Sequence, residues 1–493
     1  VADDFDTRLT GLPLRAMRQL RAVRQAIDAR RGAEAEQLLA RAQPLAGGHP
    51  EFQRLAGACL ILQKRADDAI RALRRAHEMR PQDALTLIDL GAAMRASGDA
   101  EQAREAFRRA IDRDPAQIGA RIGLADALNL SGETVEAARE YRGAIARAPR
   151  HVDAWAGLAN LRSIAIEPEE LVQLQALIDD ASLDDESRAK AGFALARVLD
   201  AHERYAEAFA ALGTANAIKR RTIAWDATKF SQHVAAISHA FQAPFATAAD
   251  ADQGREVIFI VSLPRSGSTL TEQILASHRD VEGANELWDL HAVLEEESAR
   301  RKQAFPLWCE HADPADWQRL GRRYLERTAR WRQMRPRFTD KALANWRYVG
   351  AIAAMLPGAR IVHCRRDPLE TCFACYRTLF SHGQAFTYDI AELAAYWREY
   401  EGLVRTWHAR YPGRIFDQVY EDLIAQPEMQ IRRLLDACDL SFDEACLRFH
   451  ETARGVRTLS AAQVREPLRR DTARAARYGE LLSPLRDALG MLA

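Results

Sequence analysis

Glu256–Leu275, EVIFIVSLPRSGSTLTEQIL, decides how the second half of the chain folds. Val257–Val261 is a short, β-branched apolar run and predicts a fully buried strand. After Ser262, Leu263 and Pro264, the run RSGST packs small and hydroxylated residues together, and from Thr269 the apolar positions Leu270, Ile274 and Leu275 take helical spacing. A strand, a tight turn and a helix N-terminus make an anion site, because unpaired N–H groups and the helix dipole converge there. Gly267 lets the backbone approach a phosphate, Ser266, Ser268 and Thr269 add hydroxyl donors, and Arg265 supplies a fixed positive fork. A nucleotide-triphosphatase P-loop needs a Gly five residues before its Gly-Lys end. Aligned on Gly267, this chain has Ser262 and Ser268 at those two places, so the γ-phosphate lysine is missing.

Three further stretches carry chemistry-bearing residues in order. HRDVEGANELWDL follows the first helix and offers three carboxylates, Glu282, Glu286 and Asp289. FTDKALANWRYVGAI (Phe338–Ile352) begins as a strand, becomes a helix and presents Lys341, which faces either an anion or Asp340. GARIVHCRRDPLETCFACYRTLF holds a second buried parallel strand at Ala359–Cys364, then Arg366-Asp367-Pro368. RIFDQVY (Arg414–Tyr420) reads as another strand, and YEDLIAQPEMQIRRLL runs on into a helix.

Pro264–Leu270, PRSGSTL, resembles the 5′-phosphosulfate loop of sulfotransferases, whose donor is 3′-phosphoadenosine-5′-phosphosulfate (PAPS). The other stretches resemble, in order, elements of the tyrosylprotein sulfotransferases, and the likeness covers about 255–480. It implies a P-loop-like, three-layer α/β/α domain with a parallel sheet. It also implies that Pro264, Arg265, Ser266, Gly267, Ser268, Thr269 and Leu270 bind cofactor, that Glu286 is the general base, and that Arg265 and Lys341 stabilise the leaving group. Arg366 matches the arginine that grips the 3′-phosphate; the serine expected eight residues later is Ala374, with Thr371, Thr378 and Ser381 nearby. One hydroxyl to a charged phosphate is worth roughly 1.5–3 kcal/mol. Val456–Pro467 resembles the loop that closes over the cofactor, with Ser460, Gln463, Val464 and Arg465 as matching positions and Glu466 where a lysine is expected.

Residues up to about 220 are rich in Ala, Leu, Arg and Glu and repeat every 34 positions. Leu90-Gly91, Ala103, Phe107, Ala110 and Pro115 return as Leu124-Ala125, Ala137, Tyr141, Ala144 and Pro149. One period earlier they are Ala56-Gly57, Ala69, Leu73, Ala76 and Pro81, and Gly98 and Gly132 fall at the turns. The period and its residue types are similar to the tetratricopeptide repeat, clearly over about 50–160 and in degenerate form at Ala22–Ala42 and Leu195–Ala215. Each helix pair cannot bury its own apolar stripe, so the units stack into a solenoid. Its concave face suits a protein or peptide acceptor; a spacer or homodimerisation arm is the equal alternative. Glu167–Lys190 reads as an acidic, loop-like break. The expected division is a repeat solenoid over 1–224, a linker over 225–254, and a PAPS-dependent sulfotransferase domain over 255–493.

The 493 residues suit two or three domains, and 69 acidic against 69 basic residues argue against a bulk nucleic-acid binder. No apolar run is long enough for a membrane span, and VADDFDTRL lacks the apolar core of a signal peptide. Val1 in place of Met points either to trimming or to an artificial start, with an upstream segment lost in both cases. Seven scattered cysteines fit a reducing, cytoplasmic setting. Cys372 and Cys375 lie in an apolar helical pattern and read as helix packing, and no histidine spacing implies a metal. The expected activity is sulfuryl transfer from PAPS to a hydroxyl, foremost a protein or peptide tyrosine, with adenosine 3′,5′-bisphosphate (PAP) as product. Saccharide or small-alcohol acceptors are the alternative, and so is a scaffold with a decayed cofactor site.

Overall fold

The computed structural model describes residues 5–161, 164–243, 245, 250–381, 383–452, 464, 468 and 473–491. Two compact units divide the chain, Val1–Ala215 and Asn216–Ala493, and the division falls inside the helix Tyr205–Arg221.

The first unit is helical throughout its described residues. Antiparallel pairs follow one another as Leu14–Asp28 with Gly32–Ala46, Pro50–Leu62 with Ala66–Met79, Ala84–Ser97 with Ala100–Arg113, and Ile118–Leu130 with Thr134–Arg147. Gly98 and Gly132 take left-handed backbone (φ 95° and 84°) at the turns, as the repeat pattern predicts. The period also sets the packing. Phe107 lodges between neighbouring helices, and a Cβ built on Gly91 or Gly123 would lie 2.9 or 2.3 Å from its ring. Tyr141, 34 residues on, fills the same role against Gly157. The acidic section departs from its expected loop: Pro168–Asp179 is a helix, and a capping box between Glu167 and Glu170, with Pro168 at the first helical position, starts it.

The second unit is built on a five-stranded parallel sheet ordered β2-β3-β1-β4-β5. The strands are β1 (Val257–Val261), β2 (Val281–Glu282), β3 (Arg337–Asp340), β4 (Arg360–Arg365) and β5 (Ile415–Val419). β1 is buried along its whole length, which its unbroken apolar run requires of a central parallel strand. One face of the sheet packs Ile258, Ile260, Val362 and Cys364 against the helices Ser268–Ala276 and Pro427–Ala437. On the other face Phe259 meets Tyr324 of the helix Pro314–Arg327, and His363 meets Tyr400 of the helix Ile390–Arg410. The chain builds β1, β2 and β3 on one side and then crosses to β4 on the other, so the order reverses around β1. Open α/β sheets bind ligands at such a point, beyond the carboxyl ends of the strands.

Candidate active site

Each stretch singled out in the sequence leaves the carboxyl end of its own strand. Ser262–Gly267 follows β1, Glu286 follows β2, Lys341 follows β3 and Arg366 follows β4. The β1 loop turns sharply, with Arg265 and Gly267 both left-handed (φ 68° and 88°). Gly267 is the N-cap of the helix Ser268–Ala276 and brings no capping side chain to its first N–H groups. A Cβ there would sit 2.7 Å from the Tyr420 ring, so only glycine fits this cradle. Arg366 ties the next loop to it: Nη1 donates to the Arg265 carbonyl at 3.3 Å, Nη2 lies 3.2 Å from Glu370, and the guanidinium lies over the Tyr420 ring at 4.9 Å. The Glu370 carboxylate also accepts the N–H groups of Arg474 and Ala475 at 3.1 and 2.7 Å.

Lys341 is only 1% exposed, yet its ammonium faces two carboxylates, Glu286 at 3.4 Å and Glu272 at 4.0 Å. Asp340 turns the other way, to the Tyr324 hydroxyl at 2.8 Å and the Asn345 amide at 3.1 Å. Burial pushes the Asp340 carboxyl up to about 7, against the opposing pull of the Ala342 N–H, Tyr324 and Asn345. The rivals of Glu286 are engaged elsewhere. Glu282 lies 3.8 Å from Arg335, and Asp289 lies 3.3 and 3.8 Å from Arg327 and Arg330. Glu286 alone of the three meets Lys341, and at 53% exposure it can also meet an incoming molecule.

Thr371 and Thr378, neighbours of Ala374, direct their hydroxyls to the carbonyls of Arg366 and Ala374 at 3.5 and 2.7 Å. Cys372 and Cys375 are buried on the helix Pro368–Tyr376, where the Cys375 thiol donates to the Pro264 carbonyl at 3.4 Å. Val464 is buried, whereas Ser460, Gln463 and Arg465 lie outside the described residues. A surface pocket of about 720 Å³ opens at the opposite end of the sheet, beside Glu256 and Arg337, away from these residues.

Two groups escaped the sequence. Glu272 sits on the loop's own helix with nothing in its spacing to link it to Glu286 or Lys341. His363, His408 and Asp417 converge behind β4, with Asp417 Oδ1 2.7 Å from His363 Nδ1 and 3.2 Å from His408 Nε2. Their ligating atoms lie close enough to hold a cation, while the same hydrogen bonds, with one between His363 and Tyr400, account for the cluster without one. Burial lowers the His363 pKa, against the pull of Asp417.

Comparison with known proteins finds one family in each unit. Residues 257–444 match the model of the sulfotransferase family, and residues 94–161 match that of the tetratricopeptide repeat. An uncharacterized protein of Aquifex aeolicus (strain VF5) is 30% identical over 336 residues, 65% of this chain and 44% of the relative. A putative protein-tyrosine sulfotransferase of Caenorhabditis briggsae is 23% identical over 203 residues, 40% of this chain and 70% of the relative. The chain thus spans less than half the length of the Aquifex relative. Among solved structures, the sulfotransferase domain of the Synechococcus PCC 7002 olefin synthase is 18% identical, covers 50% of this chain and 97% of that one, and has a TM-score of 0.36. The chain carries a sulfotransferase-family domain in its second unit and tetratricopeptide repeats in its first. Among the described residues, no helix is long and apolar enough to cross a membrane.

Proposed function

We propose that the protein is a sulfotransferase that uses PAPS and sulfates a hydroxyl, foremost that of a protein or peptide tyrosine. The observation that carries this reading is Lys341, a buried ammonium held beside a half-exposed Glu286 at the carboxyl edge of the sheet that also presents the β1 anion loop. The residues suit the donor: a glycine cradle, a helix N-terminus, Arg265 and Arg366 supply positive or N–H groups to its phosphates and sulfate. When bound, PAPS supplies the sulfuryl group and leaves as PAP.

Glu286 would accept the proton of the acceptor hydroxyl during the transfer. Lys341 and Arg265 take up the charge that develops on the departing oxygen. Fixed donors of this kind contribute about 2.7–4 kcal/mol each. Sulfuryl transfer resembles phosphoryl transfer in asking mainly for positioning and positive charge, which these residues supply without a metal. Tyrosine as acceptor is supported by the named Caenorhabditis relative and by the repeats, which commonly hold peptides. Trp288, exposed two residues beyond Glu286, offers a ring face to an aromatic acceptor. A cytoplasmic setting accords with seven free, buried cysteines.

The test is transfer of labelled sulfate from PAPS to tyrosine peptides, and in parallel to saccharides and small alcohols. Transfer to peptides supports the full reading; transfer only to the others moves the acceptor. Tight PAP binding without turnover would make the protein a scaffold.

A further inference from the structure

Glu272 is fully buried, and a carboxylate in that setting is costly unless its partners repay the lost hydration. Asn285, Thr339 and Lys341, which partner it, belong to the candidate site. Glu272 Oε1 accepts the Asn285 N–H at 2.8 Å and the Thr339 hydroxyl at 2.9 Å, and Oε2 lies 4.0 Å from Lys341 Nζ. The Thr339 oxygen in turn accepts the Ala284 N–H at 3.2 Å, and the Lys341 N–H donates to the Asn285 carbonyl at 3.1 Å. Asn285, left-handed at φ 62°, is therefore held at both its N–H and its carbonyl, one residue before Glu286.

We propose that Glu272 is a positioning residue that holds Lys341 and the Glu286 loop in register, and keeps Lys341 charge-compensated when Glu286 turns to an acceptor. The proposal rests on the roles given above to Glu286 and Lys341. A lysine paired with Glu286 alone would lose its partner each time Glu286 engaged a hydroxyl or took its proton. Glu272 pairs with it from behind and takes no part in the transfer. It also fixes the helix that begins at the anion loop to the ends of β2 and β3, so donor loop, base and lysine share one anchor.

Glu272→Gln separates charge from shape, since its amide oxygen still accepts from Asn285 and Thr339. We expect kcat to fall about 10²-fold, the scale of a lost transition-state donor, while the Kd for PAP and the acceptor KM move by less than about threefold. Glu272→Asp, which restores the charge one methylene short, turns over faster than Glu272→Gln. In a Lys341→Met background, adding Glu272→Gln lowers kcat by less than about threefold, because residues acting through one another are not additive. An unchanged kcat in Glu272→Gln, losses that multiply in the double variant, or PAP affinity that falls with kcat would each overturn the proposal.

Unfolding midpoints of the full chain give an answer independent of activity. Lys341→Met strands a buried carboxylate and lowers the midpoint by roughly 4–8 °C, and adding Glu272→Gln recovers part of that loss. A wild-type protein with no transfer to any acceptor would refute the proposed function. A double variant no more stable than Lys341→Met would refute the Glu272–Lys341 coupling, whatever the activity.

Discussion

Each unit of the chain buries a cluster of charge, and the two clusters differ in how tightly they are closed. In the repeat unit, Arg8 donates to Glu51 at 2.8 Å and to both oxygens of Asp83 at 2.8 and 2.6 Å. Arg54 closes the network on Glu51 and Asp89 at 2.6 and 2.7 Å. Both arginines spread their forks across well-placed carboxylate oxygens, and such a set locks helices together. In the second unit, Lys341 stands 3.4 and 4.0 Å from its two carboxylates, near enough to be held and too far for short hydrogen bonds. A saturated network stabilises; a loose one keeps donor capacity for a ligand. The difference teaches which buried charges to read as scaffold and which as chemistry.

The comparison can be broken most sharply at Arg8. Arg8→Ala leaves Glu51 and Asp83 buried with too little positive charge, and we expect a loss of about 3–5 kcal/mol in chemical unfolding. A loss below about 1 kcal/mol would mean that the tight network is not scaffold. Next, Glu286→Gln should lower kcat by about 10²-fold or more and leave the unfolding midpoint where it was; an unchanged rate would place the base elsewhere. Gly123→Ala, whose Cβ would lie 2.3 Å from the Phe107 ring, should cost about 1–3 kcal/mol by overpacking. A neutral result would show that the repeat stack has slack.

The pH slopes have opposite signs in the two units. Burial raises the Asp83 pKa, but Arg8 and Thr86 outweigh it and hold the carboxyl down to about 2. That depressed pKa contributes about 2 kcal/mol above roughly pH 4, lost as pH falls through about 2. Asp340, raised to about 7, behaves in reverse: its contribution is full below roughly pH 4 and is lost as pH rises through about 7. Asp340→Asn should therefore flatten the fall in unfolding midpoint between pH 4 and about 8. An unchanged slope would assign it to another group.

The legibility of the two units follows from the same contrast. Repetition writes the first unit into the sequence, because Leu73, Phe107 and Tyr141 recur at a fixed period with the small residues they press against. The helix Pro168–Asp179 was hidden by its acidic composition, although Glu167, Pro168 and Glu170 spell its cap. In the second unit, β1, its loop, β3, β4 and β5 were readable from short apolar runs and their flanking polar residues. Glu272 was not, because a buried carboxylate on an ordinary helix is visible only once β2 and β3 fold their ends against it. Tyr420, over whose ring Arg366 lies, needed the β4–β5 pairing to come near it, whereas Glu370 stands only four residues on in the sequence.

The most direct test of the account is calorimetric titration of the full chain with PAP, and separately with AMP and with ATP plus magnesium. The account predicts tight PAP binding without metal, weaker AMP binding for want of a 3′-phosphate, and a PAP advantage that Arg366→Ala largely abolishes. No PAP binding, or ATP binding that requires magnesium, would contradict it.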